Sequence, residues 1–339
     1  MMAVESCLRQ TRAPLEVIVL ADGCRDGTAD AVRSLGDDRV EVMDLPKAAG
    51  YGYGHRNLAL ERARGEVITY LGDDDLYLPD HFERIGAVWD AGVADIVVAG
   101  AALIHEQDEM EPMTDEWAVS LARERMLGGK NRVPMAAVSI RVGAARRVGG
   151  WNPELPRRGD WDLWARLLIE EERSARCLEP TVLHFRASGR AQPYEDRVRQ
   201  NRSWLDSIGD PAGLARLRVD YARLIGAREE SLADRHRELK LDHRRLRREQ
   251  RALRRRVVRA QTKLEKAGEA LERASRSGPR GGGPGLVELA GALLRRRTSA
   301  SAALEVASRR LDAARAELHE AETADLASES GRRARRGRL

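Results

Sequence analysis

The feature that most narrows what this chain can fold into is the segment Arg64 to Pro79. There the apolar run Val67-Ile68-Thr69-Tyr70-Leu71 stops at Gly72 and meets three consecutive carboxylates, Asp73, Asp74 and Asp75. A short apolar run bounded by turn residues reads as a buried strand. Carboxylates at the end of such a strand lie where an open α/β sheet binds its ligands. Three adjacent carboxylates repel one another unless positive charge is close by. A hard divalent ion such as Mg²⁺ or Mn²⁺ supplies that charge, taking one or two carboxylates together with a substrate's phosphates. The plain alternative is a solvated acidic turn at a helix start.

A second apolar strand, Leu15 to Ala21, ends in Asp22-Gly23 and a turn into a helix that Thr28 is expected to cap. Between the two strands, Gly50-Tyr51-Gly52-Tyr53-Gly54-His55-Arg56-Asn57 reads as a flexible loop entering a helix. The order strand, loop, helix, strand, carboxylates resembles the nucleotide-binding half of family 2 glycosyltransferases with the GT-A fold. Gln10-Thr11, Asp22 to Thr28, His55-Arg56-Asn57 and Gly65 to Asp75 carry the resemblance, and they occur in the family's order.

The resemblance implies an α/β, Rossmann-like nucleotide-diphospho-sugar transferase domain. Its reaction would move a sugar from a nucleotide-sugar donor to an acceptor hydroxyl, with inversion, in surface polysaccharide or glycolipid synthesis. It implies that Asp22 hydrogen-bonds the base, Arg56 faces the diphosphate and Asp73 contacts the ribose side. Asp74, with Asp75 as the alternative, would hold Mg²⁺ or Mn²⁺, which offsets charge on the leaving diphosphate. An always-charged guanidinium suits phosphate oxygens; an ordinary surface arginine is the other role open to Arg56.

The acceptor side needs a general base. Gly149-Gly150-Trp151-Asn152-Pro153, followed by Arg158-Gly159-Asp160-Trp161-Asp162-Leu163-Trp164-Ala165-Arg166, resembles the family's Gly-Gly-Phe-Asp turn and its Glu-Asp-x-Asp-Leu-Trp-x-Arg element. Asp160 falls on the family's catalytic aspartate. Trp161 and Asp162 are acceptor-side candidates. Asp162 is also suited to a plain helix N-terminal acid, and core packing competes with sugar stacking for Trp161 and Trp164.

Several positions depart from the family pattern. Ala21 and Gly72 stand where relatives carry aspartate, and Ser188 stands where a histidine is usual, with His184 nearby but out of register. The chain also opens inside a helix, Ala3 to Leu8, where relatives have one more strand. A start codon placed too late is the expected reason, a natural truncation the alternative. A sheet lacking that strand would expose an unpaired edge.

Charge divides the chain. Residues 1–210 carry 27 Lys and Arg against 36 Asp and Glu, and residues 211–339 carry 32 against 18. A basic arm suits an anionic membrane surface, a nucleic acid or an acidic partner. Nucleic acid is disfavoured because no aromatic-rich or groove-reading motif accompanies the charge.

Within the tail, Leu232, Leu239, Leu246 and Leu253 recur every seven residues, and His236, His243, Gln250 and Val257 complete a coiled-coil seam that runs on through Ala260, Leu264, Ala267 and Leu271. Leu304, Leu311 and Leu318 repeat the interval in a second stretch, Ala302 to Glu322. The two stretches either fold back on each other or pair with a second chain as a homodimer.

The expected organisation is a GT-A domain over 1–205, a coiled-coil helix over 212–276, a Gly/Pro hinge over 277–285, a second helical segment over 286–327 and a basic disordered tail over 328–339. The expected partners are a nucleotide-sugar donor and a saccharide or lipid-linked acceptor, with peripheral contact to an anionic membrane. The competing function is a catalytically degenerate scaffold that works through its helical tail. No run is apolar and long enough to span a membrane, and Cys7, Cys24 and Cys177 fit no disulfide framework. The expected compartment is the cytoplasm, with peripheral contact at the inner membrane face.

Overall fold

The computed structural model describes residues 1–92, 94–113, 133–170, 173–185, 193–276 and 284–336. They form two compact units, one of residues 1–228 with 327–339 and one of residues 229–326. Ser188 and most of the Gly/Pro segment 277–285 lie outside the described residues.

The first unit is a mixed α/β domain. Strands β1 (Val17–Asp22) and β2 (Val40–Leu45) pair in parallel as a two-stranded sheet. A six-stranded sheet contains β3 (Val67–Thr69), β4 (Leu76–Tyr77), β5 (Ile96–Ile104), β6 (Met110–Pro112), β7 (Val138–Arg141) and β8 (Ser174–Phe185), in the order β3-β7-β5-β8-β4 with β6 on β5. Strand β5 is apolar along nearly its whole length because both its faces are covered, and it pairs in parallel with β8.

The apolar run at Val67 forms only a three-residue strand. The carboxylates therefore sit in the short connection between β3 and β4 rather than at the end of a long strand. Strands β1 and β3 are not hydrogen-bonded to each other, yet Val17 to Leu20 and Val67 to Leu71 line the same cleft, of about 1030 Å³.

Helices α1 (Met2–Leu8), α2 (Thr28–Arg33), α3 (Tyr53–Arg62), α4 (His81–Asp90), α5 (Val142–Arg147), α6 (Gly159–Glu170) and α7 (Tyr194–Gly209) complete the domain. Thr28 does not cap α2 as expected. It is the first helical residue, and the Asp26 carboxylate two residues before it accepts both the Thr28 amide at 3.1 Å and its hydroxyl at 2.6 Å. The Asp26 carboxylate reaches forward from the non-helical turn that Gly27 closes.

The domain runs past residue 205. Helix α8 (Pro211–Arg276) buries Leu217, Tyr221 and Ile225 in one cluster with Leu76, Leu78, Ile104, Leu183 and Phe185. The second cluster centres on Trp151, Leu163, Trp164 and Leu167 against Ile96 and Val97, so Trp164 is core.

In the second unit, residues 229–276 of α8 meet α9 (Pro284–Arg336). His236, Leu253, Ala307 and Leu311 are buried, Leu239, Leu246, Leu304 and Leu318 are half-buried, and the Gln250 amide donates to the Ser308 hydroxyl at 3.1 Å. The two stretches therefore meet within one chain. Leu232, Leu264, Ala267 and Leu271 lie outside the described side chains. Helix α9 continues to Arg336, through most of the tail expected to be disordered, because Ala, Glu and Arg are good helix formers.

Candidate active site

Asp22 ends β1 opposite Leu45 of β2, so the loop leaving β2 passes directly over its carboxylate. Lys47 Nζ lies 2.6 Å from Oδ2, the Ala48 amide donates to Oδ1 at 2.6 Å, and His55 Nδ1 lies 3.2 Å from Oδ1. Burial opposes the charged form, but the hydrogen bonds from Lys47 and Ala48 outweigh it and hold the carboxyl below its ordinary pKa. The residue before α3 is Gly52, at φ +73°, where a Cβ would stand 3.2 Å from Asp22 Oδ2. Glycine thus lets the start of α3 close onto the strand end.

Arg56, one turn into α3, is not a plain surface arginine. Its Cζ lies 5.6 Å from the Tyr53 ring centroid and 5.0 Å from that of Trp151, and these rings stack on each other at 5.6 Å. It donates to the Tyr51 carbonyl. Burial lowers its pKa, opposed by the charges of Tyr53, Tyr70, Asp160 and Asp22. The guanidinium is thus held by aromatic faces between two acidic groups. Neighbouring Asn57 clamps Trp151 from both sides of its side-chain amide: Nδ2 donates to the Trp151 carbonyl at 2.8 Å and Oδ1 accepts the Trp151 amide at 2.7 Å.

The three carboxylates have different surroundings. Asp73 is exposed. Asp74 is half-buried; burial, then the charges of Asp75 and Asp73, push its carboxyl up to about 6. Its backbone carbonyl accepts the Asn201 side-chain amide at 2.6 Å. Asp75 is buried and committed, with His184 Nδ1 at 2.9 Å from Oδ1 and 3.1 Å from Oδ2, and the Phe185 amide at 3.2 Å from Oδ1. Burial works against charge on His184, but the Asp75 hydrogen bond and charge win and raise its pKa.

At the start of α6, the Gly159 amide donates to the Tyr53 hydroxyl at 3.0 Å. A Cβ at Gly159 would stand 2.6 Å from the Tyr53 ring, so a side chain there would push the two helices apart. Burial raises the pKa of Asp160, against the Trp161 amide and the Arg56 charge. Asp162 is occupied: its Oδ2 takes Arg166 Nη2 at 2.6 Å, and Arg166 also donates to the Val148 and Gly150 carbonyls. Arg158 covers the Trp161 ring, its Cζ 4.5 Å from the centroid.

Asp22, Arg56, Asp73 and Asp74 line the one cleft; Asp75, Asp160, Trp161 and Asp162 do not. Asp160 is related to the cleft through Arg56. Lys47, Asn201, Tyr53 and His184 are additions to the residues found by motif. Lys47 and Asn201 carry no sequence signal, since their place depends on chain segments remote from the motifs. His184, at the strand end, was visible but out of register.

Among the described residues, no set of three His, Cys, Asp or Glu side chains converges as a metal cage. Asp73 and Asp74 nevertheless fit a hard cation. Both are oxygen donors at the cleft, and burial together with the charges of Asp75 and Asp73 raises the Asp74 carboxyl pKa, a cost that a bound cation would offset. Asp75 fits less well because His184 and the Phe185 amide take its oxygens.

The model of glycosyl transferase family 2 matches residues 2–143. The succinoglycan biosynthesis protein ExoO of Rhizobium meliloti is 38% identical over 28% of this chain and 27% of its own length. The uncharacterized glycosyltransferase YwdF of Bacillus subtilis is 23% identical over 63% of this chain and 79% of its own. A UDP-Glc:alpha-D-GlcNAc-diphosphoundecaprenol beta-1,3-glucosyltransferase of Escherichia coli, WfgD, is 33% identical over 24% of this chain and 32% of its own. The chain thus spans about a quarter of ExoO and a third of WfgD.

Proposed function

We propose that this chain, whose residues 2–143 match the model of glycosyl transferase family 2, transfers a sugar, with inversion, from a nucleotide-sugar donor to an acceptor hydroxyl in surface polysaccharide or glycolipid synthesis. The carrying observation is the convergence of Asp22, Arg56, Asp73 and Asp74 on one cleft, with Asp160 interacting electrostatically with Arg56. The relatives support the setting: ExoO is a succinoglycan biosynthesis protein, and WfgD glucosylates a sugar on a polyprenyl diphosphate.

In this reading Asp22 hydrogen-bonds the base, by exchanging or sharing the contacts it makes with Lys47 and Ala48. Asp73 takes the ribose side, and Arg56 binds diphosphate oxygens from its aromatic cradle. Asp74, with Asp73, would hold Mg²⁺ or Mn²⁺; when bound, the ion supplies charge stabilisation to the departing diphosphate. Asp75 orients His184 beside this group. Asp160 removes the acceptor hydroxyl's proton, and its raised pKa makes it a better base than an exposed aspartate.

The test is transfer itself. A panel of nucleotide sugars is offered with polyprenyl-diphosphate-linked and free saccharide acceptors, and products are read by mass. Transfer abolished by Asp160→Asn supports the reading. Nucleotide binding without transfer to any acceptor would favour the scaffold function.

A further inference from the structure

Residues 244–259 of α8 hold nine arginines and a single acid, Glu249. Elsewhere the tail helices pair their charges locally, as in Arg237–Asp234, Arg273–Glu269, Arg309–Glu305 and Arg315–Asp312. Among the described residues no ion pair involves Arg244, Arg245, Arg248, Arg255 or Arg259, and all five are exposed. They are also on one face. His243, Leu246, Gln250, Leu253 and Val257 are the less exposed positions of this stretch. The heptad places these arginines on the side opposite that seam. Leu241 and Val258, each 63% exposed, lie on the same outer side.

We propose that this arginine face docks the protein on an anionic lipid surface. Uncompensated charge of one sign along about 24 Å of helix, at 1.5 Å per residue, matches a plane of lipid phosphates. The exposed aliphatic side chains suit the headgroup boundary. Residues 229–326 contain no Phe, Tyr or Trp, so the unit has no platform on which nucleic acid bases stack. The choice of lipid rests in part on the transferase reading, in which a lipid-linked acceptor lies in a bilayer. Seam burial against α9 leaves the outer face available, because different positions of the heptad serve each.

The experiment is co-sedimentation of the full chain with vesicles of phosphatidylcholine alone or of phosphatidylcholine and phosphatidylglycerol at two to one. Binding should need the anionic lipid and weaken steeply with salt. Arg244→Glu, Arg248→Glu and Arg255→Glu combined should weaken it about tenfold or more. The same three positions changed to Lys should retain most of it, and circular dichroism should show unchanged helicity in both variants. Equal binding to neutral vesicles, or unchanged binding by the Glu variant, overturns the proposal. So does preferential capture by duplex DNA at matched phosphate concentration, which would assign the face to nucleic acid. Asp160→Asn should bind vesicles like the unaltered protein. Anionic-selective binding in a chain that transfers no sugar would leave the docking face standing and remove only the transferase reading.

Discussion

The hydroxyl of Tyr53 accepts the amide hydrogen of Gly159 at 3.0 Å, joining the first residue of the helix that carries Arg56 to the first residue of the helix that carries Asp160. The same ring stacks on Trp151 and lies beside the Arg56 guanidinium. Tyr53→Phe keeps the ring and removes the acceptor, leaving a buried N–H unpaired at a cost of about 1–3 kcal/mol. Turnover is expected to fall about tenfold with donor affinity within about twofold, since Asp160 loses its registration while the nucleotide contacts stay. Steady-state kinetics with calorimetric donor binding separates the two. Equal loss of donor affinity would show that Tyr53 serves the nucleotide side instead.

Asp160 and Asp162 lie on one turn with different surroundings. Asp160→Asn should lower turnover roughly 10²-fold or more and spare donor binding. Asp162→Asn should mainly lower stability, because Asp162 orients Arg166 against the Val148 and Gly150 carbonyls. Thermal melts beside turnover for the two variants decide it. An inactive but fully stable Asp162→Asn, with an active Asp160→Asn, reverses the assignment.

The crowding of Asp73, Asp74 and Asp75 predicts that nucleoside diphosphate binds more tightly with Mn²⁺ or Mg²⁺ than with chelator. Asp74→Ala should remove that dependence. Calorimetry that finds the same affinity with metal and with chelator removes the metal role.

His81 predicts an acid limit. It is buried, stacked on Tyr77 at 3.9 Å, with Nδ1 2.9 Å from the Thr181 hydroxyl, and burial lowers its pKa from 6.5 to about 3. A base whose folded pKa is depressed is neutral in the fold and charges on unfolding. Its contribution is present above the unfolded pKa and is lost as pH falls from about 6.5 towards 3. The slope is up to about 1.4 kcal/mol per pH unit. His81→Gln should flatten this part of the stability curve in denaturant titrations across that range. An unchanged slope would assign the acid limit to other groups.

The tail predicts dependence on its own second half. Leu311 is 1% exposed, and Leu311→Ala should cost the second unit about 2–5 kcal/mol. Circular dichroism of the full chain should show lowered helix stability, without change in nucleotide binding. Unchanged helicity and melting would mean that the seam does not hold the unit together.

The order of elements in the first domain was legible because each motif is local. A strand ending in Asp22, the glycine-spaced entry to α3 and the carboxylate run each follow from a few consecutive residues. The heptad of α8 was legible because its period repeats. Its alternating burial at His236, Leu239, His243, Leu246, Gln250 and Leu253 follows from helix geometry alone. The occupant of that seam was not legible, since the period is the same for a fold-back and for a second chain. The Gln250–Ser308 contact places α9 there.

The three adjacent aspartates show the division most clearly. Sequence determined that they stand together after a strand, which is a matter of chain order. Only the tertiary structure decided that Asp75 is spent on His184 and the Phe185 amide, that Asp74 is half-buried and pushed towards neutrality, and that Asp73 stays in solvent. Likewise, resemblance set Asp160 apart as the base and left Asp162 as an acceptor-side candidate or a helix N-terminal acid, and packing gave Arg166 to Asp162 and burial near Arg56 to Asp160. The physical reason is that a side chain's charge and reactivity are set by what surrounds it in space. Those surroundings come from segments more than a hundred residues away, as His184 does for Asp75 and Gly159 for Tyr53.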